Sequence, residues 1–248
     1  MIDYKNSEVT EIWKLYQMGL SYLRKKNIPE RTRKCFQFTE GDQWEGLKSG
    51  AERPAQLNIL HPIMKNATAL VGQNNMTIHY SSMNYEPEIR HTMEEICAKL
   101  NQYAARVWER TKMDHFCWNV LQDAYICGDS FTYFYDDAGE IACEMLNNVN
   151  VMLADEQNDD IQKQPYLLIT RRSYVDQIKK EARANGISED DISLIMPDEA
   201  EEEAVFSGQD DEVQNGQKCM TVTKLWKKDG VVHIARATRR VTFERIIV

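Results

Sequence analysis

The chain has 248 residues, with 30 lysines and arginines against 39 aspartates and glutamates, a net charge of −9. With 42% apolar and 28% charged residues it has the composition of a globular protein long enough to bury a core, not of a disordered or fibrous one. The acid excess argues against a surface that coats nucleic acid, and no run approaches the roughly 18 apolar residues of a membrane span. Residues 1–14 lack the apolar stretch of a signal peptide, so a cytosolic origin is the simplest expectation. Cys35, Cys97, Cys117, Cys127, Cys143 and Cys219 form no CxxC pair and read as buried free thiols.

Residues 5–28 predict a helix, because Ile12, Leu15, Tyr16, Leu20 and Leu23 recur at helical spacing and Trp13 widens the stripe. Pro29 breaks it, and a second helix is expected over 30–39, ended by a turn at Gly41. Trp44 is expected to pack back on this helix pair. His61-Pro62-Ile63 opens an apolar helix to about Val71, with the proline in its first turn. Residues 76–80 alternate like a strand. Residues 87–110 predict a long helix with Ile89, Met93, Ile96, Leu100, Tyr103, Ala104, Val107 and Trp108 on one broad face, followed by another over 113–127.

Gly128 stops the helical pattern. An aromatic strand at 131–135, a turn of Asp136-Asp137-Ala138-Gly139-Glu140 and a second strand at 141–146 predict a hairpin. Residues 151–154 are short and semi-extended, and 166–170 predict a strand. Ser173 is positioned to cap a helix over 174–185 that buries Val175, Ile178 and Ala182 and stops at Gly186. From Ser188 to Glu212 eleven residues are acidic, which predicts a mobile loop. Residues 219–226 and 231–237 predict two strands around Asp229-Gly230, and a last extended stretch covers 241–248. Its apolar end is expected of a chain cut from a longer protein. The division expected is 1–187 as an α+β region, 188–218 as the acidic loop and 219–248 as a β-rich segment.

Little here points to catalysis. The sequence holds no GxxxxGK[ST] loop, GxGxxG, HExxH or GxSxG. His91 near Glu94 and Glu95, and His115 beside Asp114, are pairs that acid-rich helices produce by chance. Asp136 and Asp137 are explained by their turn, and Asp123 and Asp129 by solvation and N–H acceptance around Gly128. The aromatics at 131–135 lack the basic surround of a nucleic-acid stacking platform and read as a sheet face packed on the 113–127 helix. Arg24, Lys25, Lys26, Arg31, Arg33 and Lys34 form a modest basic patch, simplest as a solvated helix end.

The run 36–44, with Gly41-Asp42-Gln43-Trp44, resembles an early signature of tailed-bacteriophage portal proteins, where it follows an opening helix and precedes an asparagine-bearing segment, here Leu57-Asn58-Ile59. The later order is also similar: a helix, the Thr77-Ile78-His79-Tyr80 segment, a helical pair with Trp108 and Asp123-Ala124-Tyr125-Ile126-Cys127-Gly128, and an aromatic hairpin turning at Gly139. Asn150-Val151, Asp155, Gln164-Pro165-Tyr166 and Ala182-x-x-x-Gly186 continue it, so the resemblance spans about residues 10–235.

The resemblance implies a mostly helical α+β wing domain with antiparallel hairpins and small sheets. Its structural signature would be Gly41, Asp42, Gln43, Trp44, Asn58, Asp123, Gly128 and Gly139. It implies no catalytic residue, metal or cofactor. It further implies a dodecameric ring at the capsid vertex, in the virion and in the host cytoplasm during assembly, through which double-stranded DNA passes without sequence recognition. Implied partners are the terminase large subunit, head–tail connectors and a capsid or scaffolding protein, with no membrane. Stem, clip and crown would lie largely beyond residue 248. The competing expectations are another phage connector or head-assembly protein and, more remotely, a metal-dependent nuclease.

Overall fold

The computed structural model describes residues 4–44, 57–73, 78–158, 160–198 and 218–247, in which helices and antiparallel sheets form an α+β fold. In chain order the first elements are α1 (Tyr4–Lys25), α2 (Ile28–Glu40), α3 (Leu60–Gly72), α4 (Pro87–Arg110) and α5 (Met113–Cys127). Strands β1 (Phe131–Asp137), β2 (Glu140–Leu146), β3 (Val151–Leu153) and β4 (Leu167–Tyr174) follow. Then come α6 (Val175–Ala184), α7 (Glu189–Ser193), β5 (Lys218–Lys228), β6 (Val231–Ala237) and β7 (Thr242–Ile247). Backbone contacts divide the chain into two units, residues 1–31 with 149–248, and residues 32–148. Among the described residues no helix is long and apolar enough to cross a membrane.

The first unit is built on a five-stranded antiparallel sheet in the order β3-β4-β5-β6-β7. Successive side chains of a strand point to opposite faces, and β5 uses both. Met220 and Val222 join Ile12, Tyr16 and Leu23 of α1, with Met152, Leu168, Ala235 and Ala237, in one buried cluster. Cys219 joins Val175, Ile178 and Ala182 of α6, Ile192 and Ile195 beside α7, and Val241 and Phe243 in the other. The helices therefore cover both faces. At Gly19 helix α1 comes close to the sheet: a Cβ there would stand 2.5 Å from the Met152 sulfur. Ion pairs from Glu11 to Lys224 at 2.8 Å and from Glu8 to Arg245 tie α1 to β5 and β7.

Strands β5–β7 thus share a sheet with β3 and β4 instead of standing apart as a 219–248 segment. The acidic stretch is also ordered where it begins. Ser188 accepts from the Asp191 N–H and starts α7, and Ile192 and Ile195 are each 1% exposed. Residues 199–217 of the expected loop lie outside the described residues. The chain leaves at Asp198 and returns at Lys218 through a backbone hydrogen bond of 3.1 Å, and the Met220 N–H donates to the Asp198 carboxylate at 2.6 Å. Burial raises the pKa of that carboxyl, which the Met220 hydrogen bond and the nearby Arg172 oppose. Ser173 belongs to β4, and α6 starts from Tyr174 without a side-chain cap.

The second unit comprises the rest of α2, then α3, α4, α5 and the β1–β2 hairpin, whose register pairs Phe131 with Leu146 and Asp137 with Glu140. Ala138 and Gly139 both have positive φ, and the Gly139 N–H donates to the Asp136 carboxylate at 2.6 Å, closing the predicted turn. Phe134 meets Phe116 of α5 edge-on, while Tyr133 and Tyr135 stack on each other on the opposite face. Aromatic packing on α5 is therefore confined to one side of the hairpin.

This unit has few buried side chains. Helix α4 has none, although its apolar face has the expected spacing. Residues 78–80 form no strand, and 76–77 lie outside the described residues. The Tyr80 N–H and carbonyl both pair with the Asn101 side chain, at 2.8 and 3.1 Å, so a helix amide supplies the partner that a neighbouring strand would have supplied. Of the six free cysteines only Cys219 is fully buried, and Cys35 is exposed. The alternating strand pattern and the thiol count carried no information about which neighbours would cover them.

Phe243 is fully buried beneath α6, so Phe243→Ala should lower the unfolding free energy in urea by about 3–5 kcal/mol. A loss below about 1 kcal/mol would show that α6 and α7 do not seal that face.

Candidate functional site

The signature residues fall at the joints between helices. Gly41 lies just beyond the end of α2 with φ +90°, a conformation that costs other residues about 1–2 kcal/mol. Its N–H donates to the Phe38 carbonyl at 3.2 Å and the Asp42 N–H to the Gln37 carbonyl at 2.9 Å, the paired bonds that close a helix C-terminus on a left-handed glycine. A Cβ at Gly41 would stand 3.0–3.3 Å from the Asn58 side chain.

Asn58 joins two helix ends. Its Nδ2 donates to the Thr39 carbonyl at 2.8 Å, near the end of α2. Its Oδ1 accepts from the His61 N–H at 3.1 Å, in the first turn of α3. The structure therefore brings Gly41 and Asn58 together, and Asn58 needs the space that glycine leaves. Asp42 is exposed, Gln43 half-buried, and Trp44 38% exposed. Trp44 is thus not a core residue packed on the helix pair, contrary to the expectation from its size.

A second joint lies at the end of α5. The Gly128 N–H caps the helix on the Ala124 carbonyl at 2.8 Å with φ +93°. Asp123 is buried, not a solvated turn residue. Burial, and then the charge of Asp129, raises its pKa, while the neighbouring Ser130 and Cys127 oppose the shift. Burial together with the Asp123 carboxylate pushes the Cys127 thiol up to about 12, so it is not a reactive thiolate. Buried Asn148 closes the joint: its Nδ2 donates to Asp129 at 2.9 Å and to the Thr32 hydroxyl at 3.2 Å, and Thr32 donates back at 3.3 Å. The hairpin end, the α5–β1 turn and α2 thereby share one side-chain web. Thr32 carries no signal of its own in the sequence. A buried side-chain partner 116 residues away leaves no local pattern to read.

Between these joints a groove of about 330 Å³ is lined by Cys35 and Phe38 of α2, Ile63 and Met64 of α3, and Tyr125 and Ile126 of α5. A second cavity, of about 470 Å³, lies between Arg110 and Thr111 on one side and Asp137, Glu140 and Cys143 of the hairpin on the other. The Arg110 guanidinium donates to the Ile141 carbonyl at 3.0 Å and pairs with Glu140. Gly139 sits at the tip of that hairpin, the end opposite the Asp129–Asn148 contact. Among the described residues no group of three or more His, Cys, Asp and Glu could hold a metal ion. His91 and Glu94 approach to 3.8 Å on the exposed side of α4, and His115 meets the Asn119 amide. Among the described residues the Gly41–Asn58 and Asp129–Asn148 contacts join the ends of elements.

No family model matches the chain, and no curated protein matches it.

Gly41→Ala should destabilise the protein by about 1–2 kcal/mol, whereas Trp44→Ala should cost less than about 1 kcal/mol; urea melts of both variants test this. Asp123 has a folded pKa above its unfolded value, so its contribution is fully present below the unfolded pKa and is lost as pH rises through the raised value. Urea melts from pH 3 to 8 should accordingly show that Asp123→Asn removes part of the fall in stability with rising pH. An unchanged pH profile would refute the assignment of that fall to Asp123.

Proposed function

We propose that the protein is a structural subunit of a tailed-phage portal ring, with a role in DNA passage and no catalytic role of its own. The observation that carries the reading is the ordered series of blocks from Gly41-Asp42-Gln43-Trp44 through Asn58 and the Asp123-to-Gly128 run to the hairpin and Ala182-x-x-x-Gly186. Gly41 against Asn58, and Gly128 beside the Asp129–Asn148 contact, are joints that fix helix directions. That is the use expected of recurring residues in a subunit that must present the same lateral faces in every copy.

In this reading the chain supplies the wing of the subunit, and DNA threads a channel formed by many copies. The terminase large subunit docks on the ring during packaging, and connector proteins replace it afterwards. Electron imaging and light scattering of the protein in its longest natural form test the proposal. The expected result is a closed ring of about twelve copies with a central channel, formed by repetition of one heterologous contact. A stable monomer or dimer at micromolar concentration in several salts would overturn it. A ring that fails to bind a terminase large subunit would move the role to a downstream connector.

A further inference from the structure

Helix α4 carries an apolar stripe wider than its neighbours among the described residues cover. Ile89, Met93, Ile96, Leu100, Tyr103 and Val107 follow spacings of 4-3-4-3-4, the repeat that lets one helix seat its side chains between those of another. The covered edge of the helix is the one holding Met93, Cys97, Asn101, Ala104 and Trp108, all half-buried. On that side Asn101 is occupied by the Tyr80 backbone. The other edge is open: Ile89 is 46% exposed, Ile96 43%, Leu100 39% and Tyr103 47%. A line of exposed large side chains along one helix is more than the scattered exposure ordinary surfaces carry.

The border of the open edge is basic. In the heptad frame set by the stripe, the flanking positions on that side are Thr92, Lys99 and Arg106. Lys99 and Arg106 are exposed, seven residues apart, and hence about 10 Å apart along the helix. Glu88, Glu95 and Glu109 form the row one position further round, and Glu94 faces His91. A second copy of α4 would repeat this basic border, and none of the described helices combines an exposed apolar stripe with an acidic border.

We propose that the open edge of α4 docks an amphipathic helix of another protein, with an apolar 3-4 repeat and acidic residues seven apart along its border. The 3-4 repeat selects a helix as occupant, and the Lys99–Arg106 pair selects its charge. This inference goes beyond the ring reading and does not depend on it.

Fluorescence anisotropy with two labelled synthetic helices tests it. Both carry Ile and Leu on a 3-4 repeat, one with Glu and the other with Lys at the flanking positions. The Glu-flanked peptide should bind at least about tenfold more tightly at low salt, two exposed ion pairs being exchanged for two repulsions. The double variant K99E/R106E should reverse the preference, and Leu100→Glu should abolish binding of both peptides. Equal affinity for the two peptides, or no binding of either, would overturn the proposal. So would concentration-dependent self-association in sedimentation that Leu100→Glu removes, because a second copy would then be the occupant. The charge variant leaves the apolar stripe intact, so its result does not depend on whether the Leu100 variant folds.

Discussion

The first unit depends on the alternation of β5. This middle strand is buried along Cys219-Met220-Thr221-Val222-Thr223, with odd and even positions committed to opposite helix layers. A shift of pairing by one residue would exchange Met220 and Val222 with Cys219 and Thr221 and leave both clusters mismatched. The register with β4 and β6 is therefore fixed by burial on two faces at once, and the positions of α1, α6 and α7 follow from it. Asp198 adds a polar anchor at the start of the same strand, where its carboxylate takes the Met220 N–H.

The second unit is held differently. With few buried apolar side chains, it relies on side-chain amides that bond backbone or polar groups at the ends of elements: Asn58 between α2 and α3, Asn101 on the Tyr80 backbone, and Asn148 between Thr32 and Asp129. Each such bond contributes only about 1 kcal/mol net, but a buried amide left without its partner costs more than the bond gained. These asparagines therefore set geometry more than they add stability. Gly72 extends the pattern, since a Cβ there would collide with the Trp118 ring at 2.4 Å and push α3 away from α5.

Elements governed by local chemistry could be read from the sequence. The ends of α2 and α5 follow from Gly41 and Gly128, and both tight hairpins from Ala138-Gly139 and Asp229-Gly230, each with two positive φ values. Elements governed by distant partners could not. Ile192 and Ile195 carried a helical spacing of three inside the acidic run, yet composition outweighed it. The acids Glu189, Asp190 and Asp191 fill the first turn of α7, where negative charge is favourable, while the isoleucines point into the core. The stripe on α4 was legible, but not how little of it the described residues would cover. Of the two joints, Gly41 and Asn58 could be singled out by their motif, whereas the burial of Asp123 depended on Ser130, Cys127 and Asp129 gathering around it.

Charge bears on the proposed passage of DNA. A wall that grips phosphate releases counterions at each contact and slows a sliding duplex, so a conduit gains from having few uncommitted cations. In the first unit three basic side chains of the sheet are paired with carboxylates: Lys224 with Glu11, Arg245 with Glu8, and Arg236 with both Glu181 and Glu244, at 3.1 and 2.9 Å. Arg236 also lies 5.0 Å from the Phe243 ring centre, so its charge is held inside the fold by three neighbours. A phosphate would have to displace a carboxylate already in place to reach any of these groups. The net charge of −9 adds a repulsive background over the whole chain. If the chain lines a DNA conduit as proposed, the same residues that fasten α1 and α6 to the sheet would also keep these cations from a passing polyanion, so that stability and weak contact would come from one set of ion pairs.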